Sequence, residues 1–195
     1  ASPRTPLQRG AIIGAARDLI TTGGLESLSL RRLASKLGVT APALYAHVAD
    51  KQDLLRGVAE VEFDRLVERY DEFVDAEPLV RVRAHSRAYV EHARANPELF
   101  RVLFLFPPEL AAADLPEGAE LPAATKAFSA AAGAVQEAID AGDIVSDDPL
   151  MVTLALWSGA HGVATVTQLG FGLPPDLVES LTHEVTDRIL AGYAT

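Results

Sequence analysis

Apolar residues recur at three- and four-residue steps along most of this 195-residue chain, and no stretch of useful length keeps the two-residue alternation of a half-buried strand. The pattern predicts an all-α protein of about nine helices. Thr5 and Pro6 open the first, Ala11, Ile12, Ala15, Ala16, Leu19 and Ile20 form its buried side, and Gly23-Gly24 stops it. Two short helices follow. Ser29 caps one, with Leu30, Leu33, Ala34 and Leu37 on its core face and Arg31, Arg32 and Lys36 toward solvent, and Gly38 ends it. Thr40 caps the next, Pro42 falls in its first turn, and Leu44 and Val48 return to the core. Asp50 then caps a long helix from Lys51 to about Tyr70. Prolines punctuate the remainder: helices from Pro78 to Asn96, Pro97 to Phe106, Pro122 to Gly142, Pro149 to Leu169 and Pro174 to about Tyr193, with an acidic loop between Pro107 and Pro122.

The segment from Leu28 to Lys51, two short helices joined by a glycine turn, has the layout of a helix-turn-helix DNA reader. By pattern alone it is equally an ordinary αα-hairpin. Its exposed residues suit DNA nonetheless. Ala41 and Ala43 are small enough for close approach to base edges and thymine methyls, while Thr40, Tyr45 and His47 carry groups that reach phosphate oxygens.

The run from Ala41 through Tyr45 and His47 to Val48, followed by Asp50-Lys-Gln-Asp-Leu-Leu55, resembles the signature of TetR-type transcriptional regulators. The resemblance implies that Tyr45, His47 and Lys51 contact phosphates, that Thr40 braces the backbone, and that the front of the second short helix reads bases. With Arg31 alongside, the candidate DNA-binding set is Arg31, Thr40, Ala41, Pro42, Ala43, Tyr45, His47 and Lys51. Phe is commoner in the family where Val48 stands, a departure that bears on packing more than binding. Leu156-Trp-Ser-Gly-Ala-His-Gly162 is similar to the Trp-x-x-x-His-Gly pattern of one subgroup of the family's ligand-binding domains. The implied organisation is a three-helix DNA-binding domain over residues 1–51 and a helical ligand-binding and dimerisation domain over 52–195.

A formal net charge of −10 argues against DNA until it is divided. Residues 1–51 hold seven basic side chains against three acidic ones, and the remainder holds ten against twenty-four. A basic N-terminal module on an acidic body is the asymmetry expected when one face alone meets phosphate. There is no cysteine, which excludes disulfides and thiolate metal sites. The first residues lack an apolar signal core, so the expected location is cytoplasmic.

From Pro149 to Pro175 no Asp, Glu, Lys or Arg occurs. A membrane span is the first suggestion of such a run, but Thr153, Ser158, His161, Thr165, Thr167 and Gln168 are spread around the wheel. A helix buried on two sides explains it better. One stripe holds Leu150, Leu154, Trp157, His161, Ala164 and Gln168, and the other Val152, Leu156, Gly159, Val163 and Val166. The two call for two partners, the subunit's own core and a second subunit. The expected homodimer interface is Gly159, Val163, Val166, Leu181, Val185 and Ile189, matching the four-helix bundle that the last two helices of TetR-like proteins form across a two-fold axis.

His85, Tyr89 and His92 share a face of the fifth helix. The two histidines stand about 10 Å apart at a helical rise of about 1.5 Å per residue, too far to share one ion, so no metal site is expected. They can instead supply polar points to an apolar pocket. The candidate ligand-binding set is Tyr89, His92, Phe100, Phe104, Phe128, Trp157 and His161, for which ordinary aromatic core is the competing explanation. His161 is either a structural histidine or a ligand contact. No nucleophile motif or paired-carboxylate spacing supports an enzyme, no catalytic residue is assigned, and no cofactor is called for. The reading that results is a regulator, by family default a repressor, released from palindromic double-stranded operator DNA by a small apolar or aromatic effector. An effector-independent DNA-bound structural or spatial-control protein with a protein partner is the alternative.

Overall fold

Five of the helices start on a proline, where the missing amide proton would have had no intrahelical acceptor. In the computed structural model, which describes residues 7–104 and 122–194, the elements are α1 (Arg9–Gly23), a 3-10 turn (Leu25–Ser27), α2 (Leu30–Leu37), α3 (Ala41–Tyr45), α4 (Lys51–Asp71), α5 (Pro78–Ala95), α6 (Pro97–Phe104), α7 (Pro122–Asp140), α8 (Pro149–Val166) and α9 (Pro175–Ala191). Among the described residues the protein is all-α, with nine α-helices and no strand. The first helix begins at Arg9 after Gln8. The expected opening at Thr5 and Pro6, and the loop between Pro107 and Pro122, lie outside the described residues. The 3-10 turn was not anticipated; Ser27 holds it by donating its hydroxyl to the Leu19 and Gly24 carbonyls.

The chain divides into two compact units, residues 1–62 with 96–121 and residues 63–95 with 122–195. This division falls inside α4 and gives α6 to the first unit, where it packs on α1. In that unit Ile12, Ala16 and Ile20 of α1, Leu33 of α2, Leu44 and Val48 around α3, Leu54, Leu55 and Val58 of α4, and Leu99 and Phe100 of α6 are all buried. Helices α1 and α4 come close enough that a Cβ at Gly57 would stand 2.3 Å from Ile13 Cδ1, so only glycine fits without displacing that side chain. A charge is buried here too. Glu62 has no exposed surface and accepts from Arg17 Nε at 2.5 Å, and Arg17 Nη2 donates to Asn96 Oδ1 at 3.2 Å, so one guanidinium joins α1, α4 and the turn before α6.

In the second unit α5 packs against α7, α8 and α9. Val82, Ala134, Val135, Ala138, Ile144, Val152, Leu156 and Leu190 form its core. Helix α8 is, among the described residues, the one helix long and apolar enough to cross a membrane, and it is packed by α5, α7 and α9 of the same unit. Asp148 caps it by accepting the Met151 N–H at 2.9 Å. Gly159 lets α9 approach: a Cβ there would lie 2.6 Å from Ile189 Cδ1 and 2.9 Å from Val185 Cγ1.

Breaking a buried ion pair by removing one partner leaves a desolvated charge behind, at a typical cost of about 3 to 5 kcal/mol. Arg17→Met should therefore lower unfolding free energy on that scale, read as a fall in urea midpoint at unchanged slope.

Candidate functional site

Two regions gather the candidate residues, one in each unit. In the first, α2 and α3 are set by their turn. Ser29 accepts the Arg32 N–H at 3.2 Å to start α2. Gly38, at φ 65° and ψ 31°, ends it, with Gly38 N–H donating to Ser35 O and Val39 N–H to Ala34 O, the paired bonds of a Schellman cap. Thr40 takes the N-cap position of α3 by backbone conformation, but its hydroxyl makes no capping bond. Leu44 and Val48 anchor α3 from below.

That anchoring turns Tyr45 outward, 57 % exposed, on the same module as exposed Arg31, Thr40, Pro42 and Lys51, with Ala41, Ala43 and His47 half-buried. The turn into α4 is clamped. Arg9 donates to the His47 carbonyl at 2.7 Å and to both oxygens of Asp53, at 2.9 and 2.6 Å, while Asp53 accepts the Ala49 N–H and Asp50 accepts the Asp53 N–H. The Arg9 guanidinium, then the Ala49 amide, hold the Asp53 carboxyl below its ordinary range. Both carboxylates beside Lys51 are thus spent on internal bonds. Among the described residues, Arg31, Arg32 and Lys51 enter no ion pair, whereas Arg69, Arg81, Arg83, Arg87 and Arg188 of the second unit are all paired with carboxylates.

The second region is a small cleft of about 40 Å³ between α5, α7, α8 and the end of α4. Tyr70, His85, Tyr89 and Trp157 give it aromatic walls, and Val82, Ala131, Val135, Leu156 and Ala160 line the rest with Ser86 and Thr153. Tyr70 stacks on His85 with centroids 4.1 Å apart and planes inclined by 18°. The Tyr89 hydroxyl and His161 Nδ1 share a hydrogen bond of 2.9 Å, and the Trp157 and His161 rings lie 5.2 Å apart. Burial pushes the Tyr70 and Tyr89 phenols up and the His161 imidazole down. His85 is held at about 4, first by burial and then by the Arg81 charge, against the opposing pull of a Tyr70 backbone hydrogen bond and Asp71.

The chain matches the profile of the tetracyclin repressor-like C-terminal domain over residues 82–188, more than half its length, and that of bacterial regulatory proteins of the tetR family over residues 12–58. The chain belongs to the TetR family. The class C tetracycline repressor of Escherichia coli is 50% identical over 54 residues, a match covering 28% of this chain and 25% of that protein. The chain thus spans about a quarter of the length of that curated relative. A protein of unknown function from Rhodococcus sp. RHA1 has the same fold over 100% of both chains, with a TM-score of 0.82 and 27% identity. The transcriptional regulator FadR of Bacillus subtilis, solved with stearoyl-CoA, matches at a TM-score of 0.76 and 19% identity over 95% of this chain and 99% of its own.

As a TetR-family chain, this one places its expected residues unevenly. Of the ligand-binding set, Tyr89 and Trp157 line the cleft and His161 adjoins it through Tyr89. His92 is buried outside the lining and Phe128 is half-buried outside it. Phe100 is a core residue of the first unit, because α6 packs on α1, and the Phe104 side chain lies outside the described residues. The sequence reading missed Tyr70, Ala131 and Thr153, which lie on three different helices and share no motif.

The expected interface set is distributed as follows within the chain. Gly159, Val185 and Ile189 pack on one another within the chain, Val163 is buried in the subunit, and Val166 and Leu181 are half-buried. The stripe through Val152, Leu156, Gly159 and Val163 therefore faces the subunit's own core. Leu150, Met151, Leu154 and Trp157 of α8 and Leu177 of α9 are the exposed apolar residues instead.

Because folding lowers the His85 pKa from 6.5 to about 4, only the unfolded chain gains its proton between those values. The stability it contributes is complete above about pH 6.5 and is lost as pH falls toward 4. Between about pH 7 and pH 4 the wild type should lose roughly 3 kcal/mol more than His85→Phe, measured by urea unfolding at each pH.

Proposed function

We propose that this chain is a cytoplasmic, homodimeric repressor that binds a palindromic double-stranded DNA operator and releases it on binding a small, largely apolar effector. Phosphate contacts come from Arg31, Tyr45, His47 and Lys51. Ala41, Pro42 and Ala43 approach the base edges, and Thr40 braces the entry to α3. The unpaired cations support this, since a cation already held by a carboxylate would release fewer counterions on meeting DNA.

The observation that carries the effector half is the aromatic cleft of the second unit. A protein of the alternative kind, bound to DNA without an effector, has no need of such a space. The FadR neighbour, which holds stearoyl-CoA, supports at the level of fold that this architecture takes small ligands. Helix α4 carries Lys51 in its first turn and Tyr70 of the cleft in its last, so it is the element through which occupancy would be felt. The effector must bind one state more tightly than the other. It then favours the state whose recognition helices no longer match half-sites about 34 to 36 Å apart, or a multiple of that.

Dimerisation is assigned to the exposed apolar residues of α8 and α9, a surface that a second copy would cover. Leu154→Glu places its charge on this exposed face and not in the core. It should give folded monomers in sedimentation at micromolar concentration, whereas an unchanged sedimentation coefficient moves the interface elsewhere.

On DNA, Lys51→Ala should weaken binding on all sequences alike and reduce the salt dependence by about one counterion per subunit. Fluorescence anisotropy across a salt series measures it, and an unchanged slope removes Lys51 from the phosphate contacts.

A further inference from the structure

We propose that a second cavity, between α5, α9 and the turn that follows α4, binds a small organic carboxylate with a compact apolar body. Its volume is about 280 Å³ against about 40 Å³ for the aromatic cleft, and all of its described lining belongs to the second unit. None of the outward apolar residues to which dimerisation is assigned lines it.

Hydrogen-bond donors converge on this space. Arg83 and Arg87 lie one turn apart on α5 and share a face. Arg83 donates through Nε to Asp187 Oδ1 at 2.8 Å, and its two terminal nitrogens have no partner within the chain. Asp187 thus aims that guanidinium without consuming it. Arg87 stands over the Phe73 ring, 5.6 Å from the centroid, and the Glu91 carboxylate is 3.8 Å from its Nε, beyond hydrogen-bond length. The Arg87 guanidinium therefore keeps its N–H groups for an acceptor from outside.

Thr186 adds a donor from a side chain that is itself only 5% exposed. Its hydroxyl makes no hydrogen bond within the chain, yet it is not one of the unpartnered polar atoms sealed from solvent. The surface it keeps is at the wall of this cavity. Thr182, one turn earlier on α9, behaves differently and returns its hydroxyl to the Val178 carbonyl at 2.7 Å.

Charge and shape choose the ligand. Residues 63–95 and 122–195 carry sixteen acidic side chains against eight basic ones, whereas this wall holds two arginines against one aspartate. One net positive charge matches a monoanion, and a guanidinium pairs with a carboxylate as a two-pronged fork. A doubly charged phosphate would leave one charge uncompensated beside Asp187. An uncharged molecule would leave both guanidiniums unanswered. His183 supplies a further N–H in either protonation state. Phe73, Val80 and Ala84 give the same cavity an apolar side, which makes the fitting molecule amphipathic.

The test titrates the full chain calorimetrically near pH 7 in low salt with para-ethylbenzoate, para-ethylbenzamide and inorganic phosphate. The carboxylate should bind at least about tenfold more tightly than the amide, phosphate should bind more weakly than the carboxylate, and added salt should weaken the carboxylate. Arg87→Gln should cost about tenfold or more, and Thr186→Val, which removes the hydroxyl at nearly constant volume, about threefold. Arg188→Gln deletes an equal charge from α9 outside the cavity and should stay within about twofold of the wild type. In the wild type the His183 ring resonances should move with the carboxylate and not with the amide at the same concentration, a readout that needs no variant to fold. Equal binding of carboxylate and amide, tighter binding of phosphate, wild-type affinity in Arg87→Gln or Thr186→Val, an equal loss in Arg188→Gln, or unmoved His183 resonances overturns the inference. Failure of para-ethylbenzoate to bind at millimolar concentration does so too. The effector reading of the aromatic cleft stands or falls separately, because the two linings share no residue.

Discussion

A helix packed by three others has little circumference left for solvent, and α5 is such a helix. Between Val82 and Ala93 it buries His85, Ser86, Tyr89 and His92 along with its alanines and valines. Every polar side chain there must find a partner inside the protein or be left without one. That constraint shapes the second unit. It selects Tyr70 as a stacking partner, ties Tyr89 to His161, and keeps the His85 imidazole neutral near pH 7, so the cleft beside α5 is lined, among the described residues, by aromatic and uncharged side chains although the unit as a whole is acidic.

The two units handle charge in opposite ways. In the second, arginines reach carboxylates across helices: Arg69 to Glu91, Arg81 to Glu137, Arg83 to Asp187. In the first, carboxylates near the exposed turn are consumed by caps and by Arg9, which leaves Arg31, Arg32 and Lys51 uncommitted. Total charge therefore says little about what each surface can bind. A strongly desolvated pair, Arg17 with Glu62, sits where the first unit ends along α4. Its one guanidinium joins α1, α4 and the turn before α6.

Helix positions were legible because the chain advertises them. Proline starts, Ser29 and Asp148 caps, and Gly38 act locally, so no tertiary knowledge is needed to read them. The recognition module was legible for the same reason, since Leu44 and Val48 fix which side of α3 is inside and hence that Tyr45 is outside. What escaped depends on how helices meet. Periodicity found both apolar stripes of α8, but two stripes of like composition do not say which one meets the subunit's own core, and Val163, expected to meet a partner, is buried within the subunit. Phe100 was drawn toward the cleft by its aromatic character and belongs to the first unit because α6 docks on α1. His85 was recognised as a polar point on α5, but Tyr70, Ala131 and Thr153 come from elements far apart in sequence, joined only by packing.

Trp157 occupies an unusual position in this arrangement. It lines the cleft with one part of its ring, and it is 40% exposed among the outward apolar residues of α8. It is also the sole indole in the chain. Its emission therefore reports two environments at once, the occupancy of the interior and the covering of the outer face. A spectral shift seen on adding a small molecule acquires a unique meaning only when emission does not also change with protein concentration, because covering the outer face would dehydrate the same chromophore from the opposite side.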